Sequence, residues 1–126
     1  MRVVLNVFHE AANKDELDLC VKEDLDKYLK DNPDGFILVE NAKCGKKCDT
    51  AEVAISEIAE ALEIPVSILG FGKNIDCPAL SVGGPTLAIH KDGKIHFEEP
   101  ADTVAENKKL IFKYFPEAEE IEREES

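Results

Sequence analysis

The sequence has little positive charge and no tryptophan. Its 126 residues contain 15 Lys and Arg against 27 Asp and Glu, which gives a net charge of −12. A surface this acidic is repelled by a phosphate backbone and by an anionic bilayer. The composition therefore argues against nucleic acids and membranes as partners, although it does not name a partner.

Long hydrophobic runs are also missing. No apolar stretch approaches the ~20 residues that a helix needs to cross a bilayer. The apolar residues 3–5 are too few for the core of a secretory signal, and polar side chains follow them. These absences predict a cytoplasmic protein.

Cysteine is scarce as well. Four cysteines are too few for a disulfide scaffold in a chain of this length. In a compartment that keeps thiols reduced, a closely spaced pair points to redox or metal chemistry, and Cys44 and Cys48 form such a pair. Cys20 and Cys77 are predicted to be packed as small hydrophobic side chains. Cys77 is in addition the candidate for an extra, regulatory thiol.

What the sequence contains is enough for one globular domain. Its hydrophobic content of 44% is ordinary and allows one continuous core. Short apolar runs indicate strands, and apolar residues spaced by three and four indicate helices. The predicted elements are strands at 2–8, 36–39 and 66–69, a hairpin at 86–97 around Asp92-Gly93, and helices at about 14–31, 50–62 and 101–115.

Alternation of strands with helices predicts an α/β fold with a partly parallel sheet, and the closing hairpin makes the sheet mixed. The order is strand, helix, strand, helix, strand, hairpin strand, helix, which is written βαβαββα. We predict one domain over residues 1–116 and an acidic, solvated tail over residues 117–126 that either frays or extends the last helix.

Three segments together resemble the thioredoxin-like superfamily, over roughly residues 2 to 115. The first is the apolar run 36–39 followed by Cys44-Gly45-Lys46-Lys47-Cys48. The second is the helix 55–62 after the thiols, and the third is 84–94, which looks like the family's cis-proline strand and hairpin. The chain departs from the family in its three-residue spacer, in Lys43 where the family has tryptophan, and in Leu38 where the family often has a buried acid.

The resemblance implies a three-layer α/β/α sandwich and a thiol–disulfide oxidoreductase or redox carrier. Cys44 would attack a substrate disulfide and Cys48 would resolve the mixed disulfide. A cis Pro85, with its neighbours Gly84 and Thr86, would shape the substrate groove beside an exposed sheet edge. The expected partner is a protein disulfide or a small thiol, and no cofactor is needed beyond the redox-active disulfide.

The local sequence favours a reactive thiolate at this pair. Lys43, Lys46 and Lys47 form a basic cluster in an acidic chain, and the N-terminus of the following helix adds a partial positive charge. We expect Asp49 or Thr50 to cap that helix, which would leave the two cysteines in a loop. Even within a helix, Cα atoms four residues apart lie ~6.2 Å apart, and disulfides accept roughly 4.4–6.8 Å.

Two other functions remain open from the sequence. The two thiols could bind a metal: zinc or an iron–sulfur cluster if Cys20 and Cys77 complete the ligands, or Cu(I) if one histidine does. His90 and His96 cannot both take part, because a two-residue turn at 92–93 places them on opposite faces of the sheet. The third reading is a non-catalytic protein-binding module in which the thiols have no role.

Overall fold

The computed structural model describes residues 4–8, 18–72, 74–80 and 84–125, which form a five-stranded sheet with helices on both faces. The strands are β1 (Val4–Phe8), β2 (Gly35–Asn41), β3 (Val66–Phe71), β4 (Thr86–Lys91) and β5 (Lys94–Glu98). The helices are α1 (Lys22–Asp31), α2 (Gly45–Leu62), α3 (Val104–Phe112) and α4 (Pro116–Glu125).

The sheet is mixed, and its strands lie in the order β1-β3-β2-β4-β5. Strand β3 pairs in parallel with β1 and β2, whereas β4 pairs antiparallel with both β2 and β5. The predicted α/β class and mixed sheet are therefore confirmed. The observed order, βαβαβββαα, has one strand more than the predicted βαβαββα, because both strands of the hairpin belong to the sheet, and a second helix follows α3. Because β4 pairs with both β2 and β5 over Leu87–His90, the exposed edge predicted beside Pro85 is wrong over those residues.

The central strand β2 explains the two-sided core. Phe36 and Leu38 belong to the apolar cluster that includes α2, α3 and α4. Ile37 and Val39 belong to the cluster that includes α1. Side chains alternate between the faces of a strand, so a continuous apolar run can be covered on both sides.

The hairpin at residues 92–93 is confirmed. Asp92 and Gly93 both have positive φ, 56° and 79°, as a two-residue turn of the primed type requires. The predicted register is also confirmed, with Ile89 opposite His96 and His90 opposite Ile95. The two histidines thus lie on opposite faces of the sheet.

Cys20 and Cys77 form a disulfide with a Cα–Cα distance of 4.4 Å. Both are buried, with 4% and 1% of their surface exposed, and the Ala79 amide donates to the Cys20 carbonyl at 3.2 Å. The prediction that they are separate packed thiols, and that Cys77 is an extra regulatory thiol, is therefore wrong in this structure. The bridge ties the segment before α1 to residues 74–80.

Helix α1 begins later than predicted. Residues 18–21 form a turn, and Val21 is the N-cap of a helix that begins at Lys22. The Asp18 carboxylate accepts a hydrogen bond from the Cys20 amide at 3.0 Å, which stabilises the turn. Residues 9–17, where the helix was predicted to begin, lie outside the described residues.

The acidic segment 117–126 was predicted as a solvated tail, but residues up to 125 form α4. Ala118 is only 4% exposed and packs into the apolar cluster of α2 and α3. Lys108 of α3 forms ion pairs of 2.6 Å with both Glu57 of α2 and Glu122 of α4. The terminal helix is thus held to the other two helices by apolar packing and by charge.

Among the described residues, no helix combines the length and apolar character needed to cross a membrane.

Candidate functional site

Cys44 and Cys48 form a second disulfide, with a Cα–Cα distance of 5.6 Å. Cys44 is the N-cap of α2 and is half-buried, whereas Cys48 lies in the first turn of the helix and is 3% exposed. The predicted loop around the pair is therefore wrong, since the helix begins before Cys48. The four-residue spacing brings the two side chains to one side of the helix.

The turn between β2 and α2 explains why the helix begins so early. The Asn41 side chain accepts a hydrogen bond from the Lys43 amide at 3.1 Å, and the Asn41 carbonyl accepts one from the Cys44 amide at 3.2 Å. Gly45 has a φ of +50°, a conformation that costs residues with a Cβ atom free energy. Thr50, predicted as a cap, instead donates its hydroxyl to the Lys46 carbonyl at 2.9 Å, inside the helix.

A groove of about 410 Å³ opens beside Cys44. It brings together residues that lie far apart in the chain, which is the juxtaposition that the predicted site requires. Its described lining residues are Lys43, Cys44, Lys46, Lys47, Pro85, Glu99, Pro100 and Asp102.

The predicted residues around Pro85 differ in their exposure. Thr86 is fully buried, and its hydroxyl donates to the Gly84 carbonyl at 3.0 Å. Neither Gly84 nor Thr86 is among the described residues that line the groove. The Gly84–Pro85 bond is trans, because no peptide bond between described residues is cis, so the predicted cis-proline is wrong.

A buried asparagine connects the groove to the helices. Asn107 of α3 is fully buried. Its side-chain amide donates to the Thr50 hydroxyl and to the carbonyls of Ala101 and Thr103 at 2.9–3.0 Å, and its side-chain oxygen accepts from the Ala101 amide at 2.8 Å. This side chain holds the segment after β5, which supplies one wall of the groove, against α2.

Sequence reasoning missed Glu40. A carboxylate oxygen of Glu40 and the sulfurs of Cys44 and Cys48 all lie within 4.8 Å of one another. The resemblance drew attention to Leu38 as the position that lacks an acid, but Glu40 is two residues further on and therefore on the same face of β2. The available signal was an acidic residue at the end of a buried strand, on the same face of the strand as Leu38.

The environment of Glu40 disfavours its charge. Burial is the first cause that raises its pKa, and the neighbouring charges of Glu52 and Asp49 raise it further, to about 7. One of its oxygens, Oε2, is buried and has no hydrogen-bond partner among the described residues. Burial and the charge of Asp49 also raise the pKa of Glu52.

The pair therefore lies between two kinds of charge. The lysines line the groove on the side of Cys44, while a carboxylate oxygen of Glu40 lies within 4.8 Å of both sulfurs. Lys47 also forms an exposed ion pair of 3.4 Å with Glu99 across the groove. The lysines favour a thiolate at the exposed Cys44, whereas a carboxylate close to both sulfurs of the reduced pair favours a proton or a cation between them.

We predict that Glu40→Gln stabilises the oxidised protein at pH 8. A carboxyl whose folded-state pKa is raised from 4.5 to about 7 destabilises the fold when it ionises, so stability falls as pH rises through that window. We expect a gain of about 1–2 kcal/mol, less than the whole shift implies because the carboxylate is only half-buried. Urea unfolding at pH 8 and pH 4 measures it, and the gain should vanish at pH 4.

Glu63→Gln is the matched control, because Glu63 is exposed at the other end of α2. It should change the free energy of unfolding by less than about 0.5 kcal/mol at either pH. Equal stabilities of Glu40→Gln and the unmodified protein at pH 8 would show that the ionised Glu40 carboxylate does not destabilise the fold.

The other predicted metal ligands are not brought to the pair. Cys20 and Cys77 bond to each other in the apolar cluster on the α1 side of the sheet. His90 lies opposite Gly35 at the start of β2, whereas the pair follows the end of that strand. Among the described residues, the only group of three or more metal-ligating side chains is Glu40 with the pair.

Comparison of the chain with protein-family models gave no match, and comparison with curated proteins gave none either.

Proposed function

We propose that this protein is a thioredoxin-like thiol–disulfide oxidoreductase or redox carrier that uses the Cys44–Cys48 disulfide. The observation that carries the proposal is the asymmetry of the pair. Cys44 is half-buried at a helix N-terminus and lines a lysine-rich groove, whereas Cys48 is buried behind it. The Cys44 sulfur is thus accessible to a partner, whereas the Cys48 sulfur is accessible mainly to Cys44.

Three features of the fold support the resemblance. Strand β2 leads through one tight turn to Cys44, α2 begins there, and Pro85 precedes β4 and lines the same groove. The trans bond before Pro85 is a departure from the family pattern, as is the lack of a helix in the described residues between β3 and β4. The proposed substrate site is therefore the groove beside Pro85, and the hydrogen bond between its neighbours Thr86 and Gly84 holds the backbone around Pro85.

In the proposed reduction, the Cys44 thiolate attacks one sulfur of a substrate disulfide. A new S–S bond forms to Cys44, the substrate S–S bond breaks, and the second substrate sulfur leaves as a thiolate that takes up a proton. Lys43, Lys46 and the partial positive charge of the helix N-terminus favour the attacking thiolate. The lysines also attract a negatively charged leaving group.

The second step releases the substrate. The Cys48 thiolate attacks the Cys44 sulfur, the mixed disulfide breaks, and the first substrate sulfur leaves as a thiolate. The protein is oxidised by two electrons and the substrate is reduced by two. Glu40 is placed to accept the Cys48 proton, directly or through one water, because its carboxylate lies within 4.8 Å of both sulfurs.

A redox titration tests the proposal. The protein is equilibrated in glutathione or dithiothreitol buffers, its thiols are alkylated, and the modified residues are identified by mass. We expect a reversible two-electron transition of Cys44 and Cys48 between about −320 and −180 mV. Cys20–Cys77 should stay oxidised during the equilibration, because the burial of both sulfurs slows attack by a thiolate.

The control for this titration is the Cys20–Cys77 pair in the same sample, since it reports whether the buffer unfolds the protein. A pair at Cys44 and Cys48 that stays fully oxidised or fully reduced across the whole range would contradict the proposed function.

We keep the cytoplasm as the proposed compartment and a protein disulfide or small thiol as the proposed partner. Structural disulfides are rare in the cytoplasm, so Cys20–Cys77 must resist the thiol pool there. Its burial favours that resistance, because thiol–disulfide exchange requires access to a sulfur. Nothing in the groove specifically favours a non-catalytic binding module.

A further inference from the structure

We propose that the reduced protein binds a zinc ion through the thiolates of Cys44 and Cys48 and the carboxylate of Glu40. The proposal rests on the proposed function in one respect, since the disulfide must be reducible. It names a ligand that the reduced state holds and the oxidised state cannot hold. The sequence suggested Cys20 and Cys77 or one histidine as further ligands. The proposed site uses Glu40 instead, which the fold brings to the pair.

The geometry of the three side chains suits this ion. Their ligand atoms all lie within 4.8 Å of one another. Zinc binds sulfur at about 2.3 Å and carboxylate oxygen at about 2.0–2.2 Å. Ligand atoms around a tetrahedral zinc are therefore roughly 3.5–3.8 Å apart. Opening of the disulfide lets the two sulfurs move apart to this separation while the cysteine backbones stay on one turn of α2.

The carboxylate supplies a second, independent observation. Glu40 Oε2 is buried and has no hydrogen-bond partner among the described residues. A buried polar oxygen without a partner costs free energy. A cation at the centre of the three ligand atoms would satisfy that oxygen. Asp49 and Glu52 add negative charge beside it, which favours a dication over a neutral molecule.

The ligand set selects the kind of metal. Two thiolates and one carboxylate match zinc, which accepts sulfur and oxygen together and leaves a fourth position for solvent. Iron–sulfur clusters need more cysteine ligands than the pair supplies. Cu(I) prefers soft sulfur ligands, and a carboxylate is a hard one. The open position would lie near the groove of Cys44 and Pro85.

Binding and oxidation are mutually exclusive in this scheme. When Zn²⁺ binds, the two thiols lose two protons and form two Zn–S bonds. When a small disulfide oxidises the bound form, both Zn–S bonds break, the Cys44–Cys48 bond forms, and the ion leaves. The small disulfide takes up the two electrons and two protons and becomes two thiols. The protein then releases zinc on oxidation and binds it again on reduction.

The test uses the full chain. The protein is reduced with a phosphine, and the phosphine and any bound metal are then removed. Zn²⁺ is titrated in competition with a chromophoric chelator, and Co²⁺ is used as a spectroscopic substitute. We expect one Zn²⁺ per chain, a sulfur-to-cobalt charge-transfer band, a tetrahedral Co²⁺ spectrum, and no binding to the oxidised protein. Glu40→Gln should lower the Zn²⁺ affinity at least about tenfold.

Asp49→Asn is the matched control, because it removes a charge beside Glu40 without removing a ligand. It should lower the affinity less than Glu40→Gln does. Glu40→His supplies a second zinc ligand type at the same position and should retain binding, which keeps the test valid if Glu40→Gln folds poorly.

Two results would overturn the proposal: no binding of Zn²⁺ by the reduced protein, or equal affinities of Glu40→Gln and the unmodified protein. A redox titration of the same metal-free preparation separates this failure from that of the proposed function. If Cys44 and Cys48 are reversibly oxidised but bind no Zn²⁺, only the proposal of a zinc site fails. Zinc binding by a pair that is not reversibly oxidised supports the site and removes the redox function.

Discussion

Cys48→Ser will accumulate a stable mixed disulfide on Cys44, and Cys44→Ser will form none. With the resolving thiol absent, the first attack proceeds but the second step cannot. With Cys44 absent, the remaining Cys48 thiol is buried at 3% exposure and is poorly accessible to a substrate. The rate of disulfide reduction should fall at least about thousandfold in both variants, because each removes a group without which the cycle cannot finish.

Intact mass after incubation with oxidised glutathione measures the adduct, and peptide mapping identifies its cysteine. Both variants lose the same disulfide and replace one sulfur by oxygen, so each is the stability control for the other. An adduct on Cys48 in Cys44→Ser, with none on Cys44 in Cys48→Ser, would reverse the two roles. Equal amounts of glutathione adduct on the two variants would show that the difference in burial between Cys44 and Cys48 does not control attack on the disulfide.

Removal of the Cys20–Cys77 disulfide has the largest expected effect on stability. The bridge joins residues separated by 57 positions. The chain-entropy model assigns a loop of that size about 4 kcal/mol of stabilisation. Domains of this size are stable by only about 5–15 kcal/mol. The double variant Cys20→Ala, Cys77→Ala should therefore lose a large part of its free energy of unfolding, measured by urea unfolding without reductant.

The matched control is Cys44→Ala, Cys48→Ala, which removes a disulfide between residues only 4 positions apart. The same model assigns this short loop about 2 kcal/mol. A loss of the same size in both double variants would show that loop closure does not explain the contribution of Cys20–Cys77. The Cys20–Cys77 variant should keep the redox transition of Cys44 and Cys48, because its bridge belongs to the opposite side of the sheet.

Much of the fold could be predicted where neighbouring residues alone determine the structure. The apolar run 36–39 is buried on both faces as β2, because a strand that is covered on both sides needs an apolar residue at every position. Asp92-Gly93 forms the predicted turn because these residues tolerate positive φ. The helix after the thiols was predicted from its apolar spacing, although its first turn was not, since Gly45 and Asn41 shape that turn by backbone geometry.

The cysteines show where local reasoning ends. Cys20 and Cys77 carry no local signal of their partner, because a disulfide depends on the distance between two segments that only the packed chain brings together. The same holds for Pro85, which reaches the groove because β4 pairs with β2 in a particular register. Its trans bond also could not be read from the residue type, since proline accepts both isomers.

Residue order was sufficient to place two thiols after a buried strand and near the start of a helix, because burial periodicity and turn chemistry act over a few residues. Tertiary structure decided what else reaches those thiols. It placed Glu40 within 4.8 Å of both sulfurs and exposed Cys44 more than Cys48. The physical reason is that charge, exposure and metal-ligand geometry depend on contacts between separate elements, and the order and register of the strands set those contacts.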